Sequence, residues 1–248
     1  MKKLVTILFL SASFVGVCQS ESSEKETKFS IGVNYSIDQT YRVLKDNPAA
    51  NPYIKDIRDL REVSTINYTA GVSFNLRLTK RLSAETGLLY SKTGYKTKET
   101  SLTFGNVADL RRGFVYDENN PSLSNQFVVV RNYLQVPINL RFYLTNNKLR
   151  FFMLGGLSTN VHLSEKITYD IVLADGTKIN ESSNKTGTVT PNMYSTYAFG
   201  FGIDYSYKNK YMLRLNPIYR RSITKTTEWT HEEYLVSYGI NLGVFYKF

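Results

Sequence analysis

The segment that most restricts what this chain can become is Tyr133 to Leu144, YLQVPINLRFYL. Leu134, Val136, Ile138, Leu140, Phe142 and Leu144 fall on one period-two face, while Tyr133, Gln135, Asn139, Arg141 and Tyr143 fall on the other. Successive side chains of a strand point to opposite sides, so this alternation reads as a strand with one apolar and one wet face. The wet face carries a charge and two amides at mid-strand. Which face lies inside has to come from the rest of the chain.

The same alternation recurs along the sequence. The expected strands are 29–37, 66–78, 82–95, 127–144, 149–163, 194–207, 211–223 and 234–248, eight in number. Most exceed the usual three to ten residues of globular strands and reach the length that a tilted membrane strand needs. The connections alternate too: Thr79-Lys80-Arg81, Thr145 to Lys148 and Lys208-Asn209-Lys210 are short, whereas Asp38 to Thr65, Lys96 to Gln126 and Ser164 to Met193 are long. Thr224 to Glu233 is shorter than those three. Short turns at one rim and long loops at the other are the profile of an outer-membrane barrel. The expected fold is therefore all-β, an eight-stranded antiparallel up-and-down transmembrane β-barrel with short periplasmic turns and long extracellular loops.

Each short turn fixes a register and so tests the faces. Closing the first at Leu78 and Leu82 sets Leu76 opposite Ala84, Phe74 opposite Thr86 and Val72 opposite Leu88. Closing the second at Leu144 and Leu149 sets Phe142 opposite Phe151, Leu140 opposite Met153 and Val136 opposite Leu157. Closing the third at Tyr207 and Tyr211 sets Tyr205 opposite Leu213, Ile203 opposite Leu215 and Phe199 opposite Tyr219. On the other face the third closure places Asp204 across from Arg214, and the first leaves Glu85 diagonal to Arg77, within cross-strand reach. Paired charges on this face make it the lumen, and Arg77, Glu85, Arg141, Asp204 and Arg214, with Gln135, Asn139 and Asn216, are the candidate lumen polar network. An eight-stranded barrel is just wide enough to be filled by its own side chains, which disfavours a general pore.

With lipid outside, Tyr205, Tyr207, Tyr211, Tyr246 and Phe248 gather by the short turns, and Tyr35, Tyr68, Tyr90, Tyr197 and Tyr219 toward the long loops, as two interfacial girdles would. Pro137 and Pro217 each remove a ladder donor, so a bulge or widened pair is expected at each.

The N-terminus, Met1-Lys2-Lys3, then the apolar run Leu4 to Val17, then Cys18-Gln19-Ser20, reads as a secretory signal over residues 1–20, leaving 21–248 as the barrel domain. The run is too short for the roughly 20 residues of a spanning helix. Cys18 invites lipidation, but Val17 stands where such signals want a small residue. Ordinary cleavage leaves no cysteine and lowers the formal charge from +10 to +8, two lysines fewer. The remaining basic residues are scattered, which suits solvated loops and barrel ends and gives no nucleic-acid footprint.

YLQVPINLRFYL, the glycine-bearing run Phe151-Phe152-Met153-Leu154-Gly155-Gly156 that follows the next turn, and the last strand VSYGINLGVFYKF ending in Phe248 resemble the PorT-type family of bacterial outer-membrane β-barrels. The resemblance covers essentially the mature chain. It implies an integral outer-membrane location among outer-membrane lipid, with Phe248 similar to the signal read by the barrel assembly machinery. It supplies no shared catalytic set.

His162 and His231 are the only histidines; with a serine and a carboxylate they could serve a hydrolytic site at the outer rim. Nothing in the spacing fixes such a constellation, and two histidines without clustered carboxylates do not make a metal site. Gly155-Gly156 and Gly200-Phe201-Gly202 lack the strand-to-helix turn of a phosphate loop and more simply leave room for large lumen side chains. Asn51 to Leu60, with Pro52 at the first helical position, reads as a short amphipathic helix on the barrel mouth. Ile167 to Leu173 followed by Ala174-Asp175-Gly176-Thr177 reads as a strand extension turning back through an Asp-Gly hairpin. The expected role is a non-enzymatic envelope protein without a cofactor, a binding or secretion and assembly component with an envelope protein as candidate partner. A small outer-membrane enzyme with a rim site and a secreted ligand-binding barrel are the alternatives.

Overall fold

The computed structural model describes residues 28–45, 60–99, 107–109, 113–115, 122–173, 175–184, 190–208, 210–227 and 232–248. The signal segment 1–20 with Cys18, His231, and the helix expected over 51–60, except for Leu60, lie outside them; Leu60 and Arg61 are helical. Among the described residues no helix is long and apolar enough to cross a membrane.

The strands are β1 (Phe29–Lys45), β2 (Glu62–Arg77), β3 (Leu82–Thr97), β4 (Val107–Asp109), β5 (Gly113–Val115), β6 (Ser122–Tyr143), β7 (Leu149–Leu173), β8 (Lys178–Ser183), β9 (Met193–Tyr207), β10 (Tyr211–Ser222) and β11 (Glu232–Lys247). β4 and β5 form a separate two-stranded sheet, and β8 hangs on the far part of β7. The other eight pair antiparallel with their neighbours in chain order, and β11 pairs back onto β1, so the sheet closes into a ring. Closure removes every free edge of these eight strands, which is what a sheet without surrounding water requires.

The face assignment follows from which residues the ring hides. Isoleucine, leucine and phenylalanine of the outward phase are bare, with Ile138 65%, Leu157 57% and Phe201 62% exposed, while inward positions hold Asn34, Asp38, Glu85, Gln135, Arg141, Asp204, Arg214 and Asn241, all buried. A water-soluble domain does not carry an apolar belt of that extent. Polarity is inverted relative to a soluble sandwich because the solvent around the belt is hydrocarbon. Aromatic rings close the belt at both ends: Tyr211, Tyr246 and Phe248 stack edgewise by the short turns, and the rings of Tyr35, Tyr68 and Tyr90, like those of Tyr197, Tyr219, Tyr238 and Tyr41, form rows toward the long loops.

The first and third hairpins have the expected register, with Leu76 opposite Ala84 and Asp204 opposite Arg214. The second is displaced by two residues: Phe142 faces Met153 and Leu140 faces Gly155. The cause is a longer turn, closed where Leu144 N donates to Phe151 O at 2.8 Å and Thr145 Oγ1 accepts from Phe151 N at 3.0 Å. A slip of two keeps every side chain on its own face. Pro137 and Pro217 produce no bulge: the β3–β6 ladder skips from Thr86–Ile138 to Leu89–Gln135, and the β9–β10 ladder from Leu215–Ile203 to Ile218–Gly200, each without change of register. The proline simply leaves one donor out, and the pairs on either side hold the strands together.

The strands run longer than the alternation suggested. β1 continues to Lys45, and β7 is 25 residues long, roughly 80 Å at strand rise. A membrane crossing uses only about 9–11 residues. Along β7 the outward positions are apolar, Thr159 apart, through Leu163; there the pairing shifts between Asn132–Ser164 and Tyr133–His162, leaving Leu163 as an extra residue. Beyond it the polarity reverses, with Ile171 and Leu173 buried and Lys166 exposed. The far parts of β6 and β7, with β8, are thus a wall standing outside the apolar belt. Gly176, at φ +84, turns β7 into β8, with Thr177 N donating to Asp175 Oδ1 at 2.8 Å.

Candidate functional site

The inward phase of the ring brings charges from distant strands into layers. Nearest the short turns, Arg214 of β10 holds Asp204 of β9 with two parallel bonds, Nε to Oδ1 at 2.7 Å and Nη2 to Oδ2 at 2.9 Å. Its third nitrogen, Nη1, reaches across to Glu85 Oε2 of β3 at 2.5 Å, and Arg141 Nη2 of β6 takes Glu85 Oε1 at 2.6 Å. Tyr143 adds its hydroxyl to Asp204 Oδ2 at 2.8 Å, and the Arg214 guanidinium lies 4.5 Å from the Phe245 ring centre. The two carboxylates and two guanidiniums balance. All four side chains are buried, so these charge-assisted bonds act without water to screen them.

Four of the five residues expected to form the lumen network therefore meet. Arg77 does not join Glu85, which is a correction to the diagonal pairing: it sits in the last position of β2, and its Nε and Nη2 donate to the carbonyls of Thr79 and Lys80 at 3.3 and 3.2 Å. Glu85 is turned instead toward Arg141 on the neighbouring strand and Arg214 across the lumen. Of the amides, Asn216 accepts from Asn241 at 3.0 Å, and the Cβ of an alanine at Gly156 would stand 2.0 Å from Asn139 Oδ1. At Gly202 it would stand 2.4 Å from Asn216 Cβ, so these two inward glycines do make room for lumen side chains, whereas Gly155 faces outward into open space.

Two further charge layers were not anticipated. At mid-lumen Arg220 Nη1 holds Asp38 Oδ1 at 2.6 Å, and Ser36 and Thr69 donate to the same carboxylate at 2.6 and 2.7 Å. Toward the long loops Glu233 is shared between Arg42 at 2.8 Å and Arg131; Arg42 also pairs with Glu62, and Arg131 Nε with Glu165 Oε2 at 2.7 Å. Arg42 lies 3.8 Å from the Tyr95 ring centre. Arg42, Glu62, Glu165 and Glu233 lie beyond the ends expected for their strands. Arg131 stood within its strand in the inward phase, so period two alone identifies it.

His162 packs edgewise on Tyr133, ring centres 5.5 Å apart, and its backbone N donates to Asn192 O at 2.8 Å. Of the carboxylates toward that rim, Glu62, Glu165 and Glu233 are engaged by Arg42 and Arg131. Among the described residues no three of His, Cys, Asp and Glu converge as metal ligands would. Phe248 is exposed at the short-turn end, its N donating to Phe29 O at 3.1 Å.

A family model described as outer membrane protein beta-barrel domain matches residues 18–228. Among curated proteins no sequence matches the chain. Among solved structures, the chain is similar to Neisserial surface protein A, with 11% identity, covering 89% of this chain and 97% of that one at a TM-score of 0.44. The outer membrane protein OprG of Pseudomonas aeruginosa gives 14%, 91%, 97% and 0.41. The attachment invasion locus protein Ail of Yersinia pestis gives 12%, 90%, 99% and 0.36.

Proposed function

The chain belongs to the outer membrane protein beta-barrel domain family, and from that footing we propose that it is a non-enzymatic, plugged barrel whose raised β6–β7–β8 wall is a binding surface on the cell exterior. The observation that carries this reading is the pairing of a lumen crossed by three charge layers with strands that outrun the membrane. Side chains that hold one another across the ring favour a filled lumen, and β7 extends well past the end of the apolar belt at Leu163. An ordered antiparallel wall with its own buried face is a costly way to close a hairpin. Such a wall is well suited to present a fixed surface to an envelope or external protein. The YLQVPINLRFYL strand and the Gly155-Gly156 strand after it support a PorT-type assignment within the family, which favours a secretion or assembly partner.

Two measurements test the proposal. The purified protein in a planar bilayer should show no steady conductance; open channels of porin size would overturn the plug. Pull-down from detergent-solubilised envelopes should recover a partner that is lost when residues 168–182 are replaced by a two-residue turn, with the barrel still folded. Equal recovery with and without the wall would remove it as the binding surface.

A further inference from the structure

At the short-turn mouth of the lumen, below the Glu85–Arg214 layer, lies a small cavity of about 30 Å³ whose lining includes Lys28, Arg77, Arg150 and Lys247 and no carboxylate. Ser30 and Ser83 add two hydroxyls to the same lining. We propose that this mouth is a binding site for a small oxyanion, a phosphate or a carboxylate, held chiefly by Arg150 and Ser83.

Arg150 carries the argument. In register it stands opposite Asp204, the one carboxylate that β9 could offer it. Both oxygens of Asp204 are already engaged, by the forked bonds of Arg214 and by the Tyr143 hydroxyl. Arg150 is left with Met212 Sδ at 3.5 Å and the face of Tyr143 at 4.5 Å, soft partners for a guanidinium. It is only 7% exposed, and its Nε has no hydrogen-bond partner among the described residues; nor has Ser83 Oγ, which is 1% exposed. A buried cation without a counter-charge is expensive, and buried donors without acceptors add to the cost. An oxyanion answers both at once, since it supplies negative charge and several acceptor lone pairs to a planar fork of donors. The Lys28 ammonium adds long-range attraction at the mouth. The Glu85, Asp204, Arg141 and Arg214 layer above is neutral in itself, so it leaves the Arg150 charge uncancelled.

The test uses the mature chain folded in a nonionic detergent, titrated calorimetrically with inorganic phosphate and, separately, with acetate, at ionic strength fixed with sodium chloride. Saturable binding of either anion is expected, weakened about tenfold or more by Arg150→Gln, which removes a charge-assisted bond. Ser83→Ala deletes only an unbonded hydroxyl and should weaken binding with no effect on heat-modifiable gel migration, so it serves if Arg150→Gln fails to fold. Arg81→Gln on the exposed turn should change nothing. Absence of saturable binding by both anions, or equal affinity in wild type, Arg150→Gln and Ser83→Ala, would overturn the site. Phosphate binding seen only after Glu21, Glu24 and Glu26 are changed to Gln would instead give the site to the chain's own N-terminal carboxylates and overturn the free oxyanion.

Discussion

Arg214 is the residue on which the lower lumen turns, because it alone touches both carboxylates of its layer. Replacing it by Met strands Asp204 and leaves Glu85 with Arg141 only, and the expected loss is about 3–5 kcal/mol, as for other buried pairs broken on one side. Changing Asp204 and Arg214 together to Asn and Met should cost clearly less, because Glu85 keeps Arg141 and no uncompensated charge is left. Urea unfolding of the wild type and the two variants in lipid vesicles reads this directly; a loss near 1 kcal/mol or less for Arg214→Met would mean that water screens the layer. The Asp204–Arg214 contact was legible in the sequence because a three-residue turn leaves a single register that keeps both apolar faces outward. The partners of Glu85 were not. Arg214 meets it across the lumen, and linear alternation says which side chains point inward but not how far each reaches once there. Arg150, flanked by the outward Leu149 and Phe151, could have been found by period two alone.

At the scale of elements, strand existence and facing were legible, while strand ends were not. The expected end of β7 at Leu163 is where the extra residue shifts the pairing and the outward face turns from apolar to polar, so the periodic signal reverses although the strand continues. β1 likewise continues from Ile37 to Lys45 with Asp38, Thr40 and Arg42 still inward. The alternation marks the membrane belt rather than the strand. The turn at the top of β7 should then be separable from the belt. Gly176→Val forces a β-branched residue to φ +84, at a cost of roughly 1–2 kcal/mol. The expected result is faster amide exchange and easier proteolysis in 167–183, with gel migration and the unfolding midpoint of the barrel unchanged; a fall in that midpoint would show that wall and belt unfold together.

For the whole molecule, the closed ring and the inverted polarity define a body with two unlike ends, and the end that faces the cell exterior can be read by chemistry. Chains with signal-directed export thread long loops outward and keep short turns on the periplasmic side. Asp175, at the tip of the β7–β8 hairpin, and Lys80, in the turn between β2 and β3, lie at opposite ends of the ring. Both are exposed, so a cysteine at either can react without disturbing the belt. Cleavage of the signal segment would leave no other thiol, since Cys18 is the sole cysteine of the full sequence. On intact cells an impermeant maleimide should label Asp175→Cys and spare Lys80→Cys, and permeabilising the outer membrane should expose Lys80→Cys as well. Equal labelling of the two on intact cells would invert or abolish the orientation, and with it the assignment of the β6–β7–β8 wall to the outside and of the Arg150 mouth to the periplasm.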